Sequence, residues 1–129
     1  MEYYISSKLH KNFDEAINLV TEKLKDQGFG ILTEIDVKAT MKKKLDVDFY
    51  NYKILGACNP PFAHKALQAE DKIGVMLPCN VIVQEKETGT VEVSAVNPTA
   101  SMQAVENPAL SDIAGEVTDR LKKVIDSLK

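Results

Sequence analysis

The sequence predicts an α+β fold: a two-layer sandwich in which one β-sheet of about five strands carries helices packed on it. Three features predict it. The segment from Leu110 to Leu128 keeps one helical face apolar, through Ile113, Val117, Leu121 and Val124. The stretch "TVEVSAV", residues 90–96, alternates with the two-residue period of a strand. Between the termini the apolar pattern switches repeatedly between these periods, in the order β-α-β-α-β-α-β-β-α over a single domain of residues 1–129.

Each element has a local reason. "YYISS", residues 3–7, is rich in aromatic and β-branched residues and reads as a short strand. Phe13, Ala16, Ile17, Val20 and Leu24 recur at helical spacing up to Gln27. Asn12 and Glu15 stand as a capping pair at its start, and Gly28 ends it. "FGILTEIDV", residues 29–37, is a second strand, and "KATMKKKLD" has the propensity for two helical turns. A third strand spans residues 50–58, and a short helix covers Pro61 to Ala69. The apolar run "IGVMLPCNVIV", residues 73–83, reads as a buried strand interrupted at Pro78, because proline has no N–H for the ladder. "EKETG" then supplies the turn into residues 90–96.

Composition bounds the function. An apolar fraction of 44% and a charged fraction of 27% belong to a folded protein with a proper core. A net charge of -3 without a basic, aromatic-studded surface argues against nucleic acid, and Lys42, Lys43 and Lys44 read as a solvated helix face. No apolar run approaches the roughly 18 residues of a membrane span. The first residues show no secretory signal, so two cysteines imply free thiols in a reducing cytoplasm.

The richest stretch is "LGACNPPFAHKAL", residues 55–67. Asn-Pro occurs at 59–60, 97–98 and 107–108, and asparagine followed by proline suits a helix start. Asn107 and Asn59 are therefore expected to cap the helices that follow. Cys58 precedes the second of these caps, where a helix amino terminus favours a thiolate; a buried packing cysteine is the plainer alternative. His64, six residues on, can serve as base for Cys58, join it as a metal ligand, or simply face solvent. His10 reads as surface. Tyr52, Ile54, Gly56 and Cys58 share one strand face, and Val75, Leu77, Cys79 and Val81 share another. If those strands are neighbours, both thiols approach one pocket and can bind a soft transition metal or haem iron, or cycle as a redox couple. Glu34 and Asp36 project from one face and suit acid–base or hard-metal chemistry, or salt bridges to nearby lysines. No phosphate loop, Ser-His-Asp order or dinucleotide fingerprint is present.

These motifs, taken in order, resemble domain-of-unknown-function family 302, of the TT1751-like structural class. The "EID" strand falls on Glu34 and Asp36, a helix ends at Leu45, and the tyrosine-led strand into "LGACNP" runs from Tyr52 to Pro60. Ala63 and His64 lie in the following helix, and Leu77 to Cys79 complete the pattern. The resemblance implies an α+β domain with one mixed sheet and a homodimer; it implies no catalytic residue. The leading expectation is a cytoplasmic homodimer binding a small-molecule ligand, metal or haem near Cys58, Asn59, His64 and Cys79, with redox sensing or cofactor handling as its task. The rivals are an enzyme with Cys58 as nucleophile and His64 as base, and a purely structural or partner-binding module.

Overall fold

A computed structural model describes residues 2–129. Five strands, β1 (Tyr4–Leu9), β2 (Gly30–Asp36), β3 (Asn51–Cys58), β4 (Cys79–Glu87) and β5 (Thr90–Val96), form one sheet in the order β1-β5-β4-β3-β2. The helices are α1 (Phe13–Asp26), α2 (Val37–Leu45), α3 (Pro60–Ala69), the short α4 (Pro98–Ser101) and α5 (Ala109–Asp126). No helix among the described residues is long and apolar enough to cross a membrane.

The α+β class is that expected, and so is the element order apart from an added 3₁₀ helix before β4 and the short α4, but the sheet is antiparallel throughout and not mixed. The reason lies in the connections. The chain leaving β2, β3 and β4 re-enters each time at the end of the sheet where it left, so the next strand runs back antiparallel beside it. Only the α1 connection crosses the sheet, and it delivers β1 and β2 to opposite edges, where they never pair.

Strand alternation sends Leu55, Val81, Val83, Val91 and Val93 to one face, where each is buried against α1 and α5. From the helices, Val20 and Leu24 of α1 and Leu121 and Val124 of α5 complete this core. Asn12 caps α1 as expected, accepting the Glu15 N–H at 2.8 Å through Oδ1. The opposite face holds polar ladders: Ser6 Oγ lies 2.6 Å from Ser94 Oγ, and Gln84 Nε2 donates to Glu92 Oε1 at 3.3 Å.

Residues 73–83 do not form the single interrupted strand the sequence predicts. A 3₁₀ helix runs from Asp71 to Met76, and β4 begins only at Cys79, after Pro78. Burial decides this. Ile73 is sealed into a second small core with Ala66 and Leu110, whereas Val75 is 86% exposed. Tight helical turns can bury one apolar residue and expose its neighbours; a core strand alternates strictly.

The β2–β3 ladder slips by one residue between Ile31 and Thr33, so Leu32 is bulged out and 67% exposed. At the same place Thr33 and Pro78 close over Gly56. A Cβ there would overlap Thr33 Oγ1 and stand 2.8 Å from Pro78 Cγ. Gly115, inside α5, has nothing within 4 Å of where its Cβ would be. The two glycines should therefore respond oppositely to alanine in denaturant unfolding. Gly56→Ala is expected to cost about 1–3 kcal/mol through overpacking, and Gly115→Ala to add up to about 1 kcal/mol through helix propensity. A neutral Gly56→Ala would contradict the close approach.

Candidate functional site

The chain turns out of α1 through Gly28, whose φ of 87° is available to glycine at little cost. A Cβ at Gly28 would lie only 3.0 Å from Asn59 Nδ2, and that amide instead donates to the Gln27 carbonyl at 3.2 Å. Arg120 Nη1 of α5 donates to the same carbonyl at 3.1 Å. Asn59 occupies the cap position of α3 but makes no side-chain cap bond, contrary to the expectation from its Asn-Pro pair. Its side chain is committed to Gln27, 32 residues away in sequence.

The other two Asn-Pro asparagines do likewise. Asn97 Nδ2 donates to the Glu2 carbonyl at 3.1 Å, and Asn107 Nδ2 to the Ala69 carbonyl at 2.9 Å. Asn107 Oδ1 also accepts the Ala109 N–H at 3.1 Å, which satisfies a free donor at the start of α5, although the cap position itself falls on Pro108.

These ties hold the start of α3 and the middle of α5 across the ends of β2, β3 and β4, and a cavity of about 330 Å³ lies between them. Its walls are Phe62, Ala63 and Ala66 of α3 and Ile113, Ala114 and Val117 of α5, with Phe29 and Ala57 beneath. The volume arises from small side chains: Ala57, Ala63, Ala66 and Ala114 all line it. Leu32, put out by the bulge, and Leu67 are exposed residues of the wall. Cys58, Asn59 and Cys79 contribute the polar side-chain atoms.

Both thiols line this one cavity and both are free. Cys79 pairs with Ala57 in the β3–β4 ladder and shares the core face of Val81 and Val83. Cys58 is the last residue of β3 and reaches the cavity where the strand ends and α3 begins. Burial, with a smaller contribution from neighbouring Cys58, pushes the Cys79 thiol up from 9.0 to about 11. It is therefore a neutral thiol at pH 7.

The remaining predicted residues stand elsewhere. The cavity positions of α3 occupy one helical face, and His64 falls off that face into solvent, as the exposed His10 does. Neither the Cys58–His64 pair nor the metal set Cys58, His64 and Cys79 is assembled: no three His, Cys, Asp or Glu side chains among the described residues can hold an ion together. Glu34 forms a 2.7 Å ion pair with Lys53, whose pKa that hydrogen bond holds above the ordinary lysine value. Asp36 caps α2, accepting the Ala39 N–H at 2.9 Å. Both carboxylates are thus explained by salt bridging and capping, and neither lines the cavity.

Sequence reasoning missed Ala63, Ala66 and Ala114, whose small size makes the cavity, and Arg120, the chain's single arginine. The signal for Ala63 and Ala66 was the run of alanines at helical spacing on α3. For Arg120 it was the isolation of one guanidinium among lysines.

Fold and site together define a small antiparallel α+β sandwich with an apolar, two-thiol cavity at one end of the sheet. The chain belongs to the family described as domain of unknown function DUF302, whose sequence model matches residues 5–128. It is similar to the uncharacterized conserved DUF302 protein of Bacillus stearothermophilus, known from a crystal structure. The two share 29% identity and a TM-score of 0.91, with 100% of each chain covered. No curated protein matches the chain significantly.

The raised thiol sets two expectations for Cys79. Reaction with iodoacetamide should be slow at neutral pH and keep accelerating towards pH 11, because the thiolate is the nucleophile. The folded state holds the Cys79 proton more tightly than the unfolded state, so this contribution to stability is intact below about pH 9. It is lost as pH rises from about 9 to about 11. Cys79→Ala should remove that part of the alkaline loss in pH-dependent unfolding. Rapid Cys79 alkylation at pH 7 would contradict its burial.

Proposed function

We propose that the protein is a ligand-binding module that takes a small, largely apolar organic molecule into the cavity between α3 and α5. The observation that carries this reading is the cavity itself: about 330 Å³, walled by carbon, with two thiols and one already bonded amide as its polar side chains. That volume sits at the small end of ligand pockets, which run from about 300 to 1,000 Å³. An apolar guest is stabilised in proportion to the area it removes from water, and this wall asks few hydrogen bonds of it.

The three-residue metal reading loses support because His64 stands outside the wall and no such donor set gathers among the described residues. Nucleophilic catalysis through Cys58 loses its base for the same reason. Burial keeps Cys79 protonated at neutral pH and slows attack by its own thiolate, so the raised thiol lends a redox couple no direct support.

The test uses N-phenyl-1-naphthylamine, a neutral probe that brightens in apolar surroundings. Saturable brightening by the protein is expected, with affinity falling about tenfold or more in Ala63→Leu and Ala66→Leu, which fill the cavity. Thermal melts would show that each variant folds. Probe binding that is absent, or unchanged by filling, would overturn the proposal.

We further propose that two copies join through the sheet face opposite α1 and α5, consistent with the homodimer that family resemblance implies. Half-exposed Tyr52, Ile54 and Ile82 lie on that face. Beside them Phe49 stacks on Tyr50 at 4.2 Å, and Tyr3 and Tyr4 meet edge to face at 5.0 Å. Sedimentation should give twice 14.3 kDa, and Ile82→Lys should return the monomer mass. A monomeric parent protein would refute this arrangement.

A further inference from the structure

The walls of the cavity are apolar, yet two cations flank one of its wall rings. The Arg120 guanidinium carbon lies 5.1 Å from the centroid of Phe62, and Lys65 Nζ lies 5.8 Å from the same centroid. Arg120 is half-buried and held in place by its bond to the Gln27 carbonyl. Neither cation has a carboxylate within ion-pairing reach among the described residues, and of the two it is Arg120 that is partly withdrawn from solvent. A partly desolvated guanidinium without a counter-charge is unusual for a chain of net charge -3, which has carboxylates to spare.

Arginine carries five N–H donors, and one of them is accounted for by Gln27. The rest match the fork of a carboxylate, and the guanidinium lies within cation–π range of Phe62. The amino-terminal end of α3 lies on the same side of the cavity, through Asn59 and Phe62. Its first turn begins with Pro60 and Pro61 and has neither a side-chain cap bond nor an acidic residue to offset the positive end of that helix.

We propose that the ligand is an amphipathic monocarboxylic acid, with its apolar body in the cavity and its carboxylate against Arg120 and Lys65. The proposal rests on the cavity being a binding site, and it adds the chemical class. The modest volume of about 330 Å³ suits one medium-length chain or a compact ring system and excludes a two-chain lipid.

The test compares decanoic acid with 1-decanol as competitors for N-phenyl-1-naphthylamine at neutral pH. Both have the same tail, and only the acid is charged. The acid should displace the probe at a concentration about tenfold lower than the alcohol. Lys65→Gln and Arg120→Gln should each weaken the acid about threefold or more and leave the alcohol unchanged. Arg120→Lys, which keeps the charge, should retain most of the preference and guards against a folding defect in Arg120→Gln. If the probe binds and the acid and alcohol compete equally, the acid proposal falls and the apolar-ligand reading stands. If the probe does not bind the parent protein at all, both fall together.

Discussion

Two side chains converge on the carbonyl of Gln27, and the rest of the molecule's working end depends on that point. Asn59 reaches it from the start of α3 and Arg120 from the middle of α5, at 3.2 and 3.1 Å. Gln27 itself caps α1, the one connection that crosses the sheet from edge to edge. A single acceptor thus joins three helices that share no sequence neighbourhood. The left-handed turn at Gly28 permits it, because any larger residue would press on the Asn59 amide at 3.0 Å. With the helices held there, the space between α3 and α5 stays open instead of collapsing onto the sheet ends.

The same device recurs. Asn59, Asn97 and Asn107 each precede a proline, and each sends its amide N–H to a backbone carbonyl of a distant segment. Capping uses the asparagine Oδ1 as an acceptor, so the Nδ2 donor stays available for a distant carbonyl whether or not the cap forms. A buried amide must still be bonded, and the nearest unpaired acceptors are carbonyls where helices and strands end. Helix starts become attachment points: α3 to α1, α4 to the amino-terminal strand, and α5 to the end of α3. Asn107 does both tasks, since Oδ1 takes the Ala109 N–H while Nδ2 is bonded elsewhere.

The cavity follows from volume more than from chemistry. Close packing normally fills the space between helices and a sheet, and here alanines on three elements leave it unfilled. An empty apolar cavity forfeits contacts on every wall, so it weakens a fold unless something occupies it. The two thiols fit this setting. Burial holds Cys79 protonated, a small polarizable group compatible with an apolar guest, and the cations near Phe62 confine charge to one side. Charge outside and carbon inside is the arrangement on which the proposed acid ligand rests.

Much of this was legible in the linear sequence. Period-two alternation at Val91, Val93 and Ala95 and the apolar stripe from Leu110 to Leu128 specify strand and helix because side-chain direction repeats with backbone geometry. The Asn12 cap, the Gly28 stop and the meeting of Cys58 with Cys79 were equally within reach, since each needs only local rules or one assumption of strand neighbours. Tertiary structure alone decided the rest. Antiparallel pairing came from where each connection lands, and the 3₁₀ helix over residues 71–76 from the burial of Ile73 in a core assembled by α3 and α5. The exclusion of His64 depended on the rotation of α3 about its axis, and the capture of the Gln27 carbonyl on contacts spanning 32 and 93 residues. Sequence determines which residue types face one another along an element, because that periodicity is local. Which elements meet, and what stays empty between them, is settled by long-range packing that no local pattern encodes.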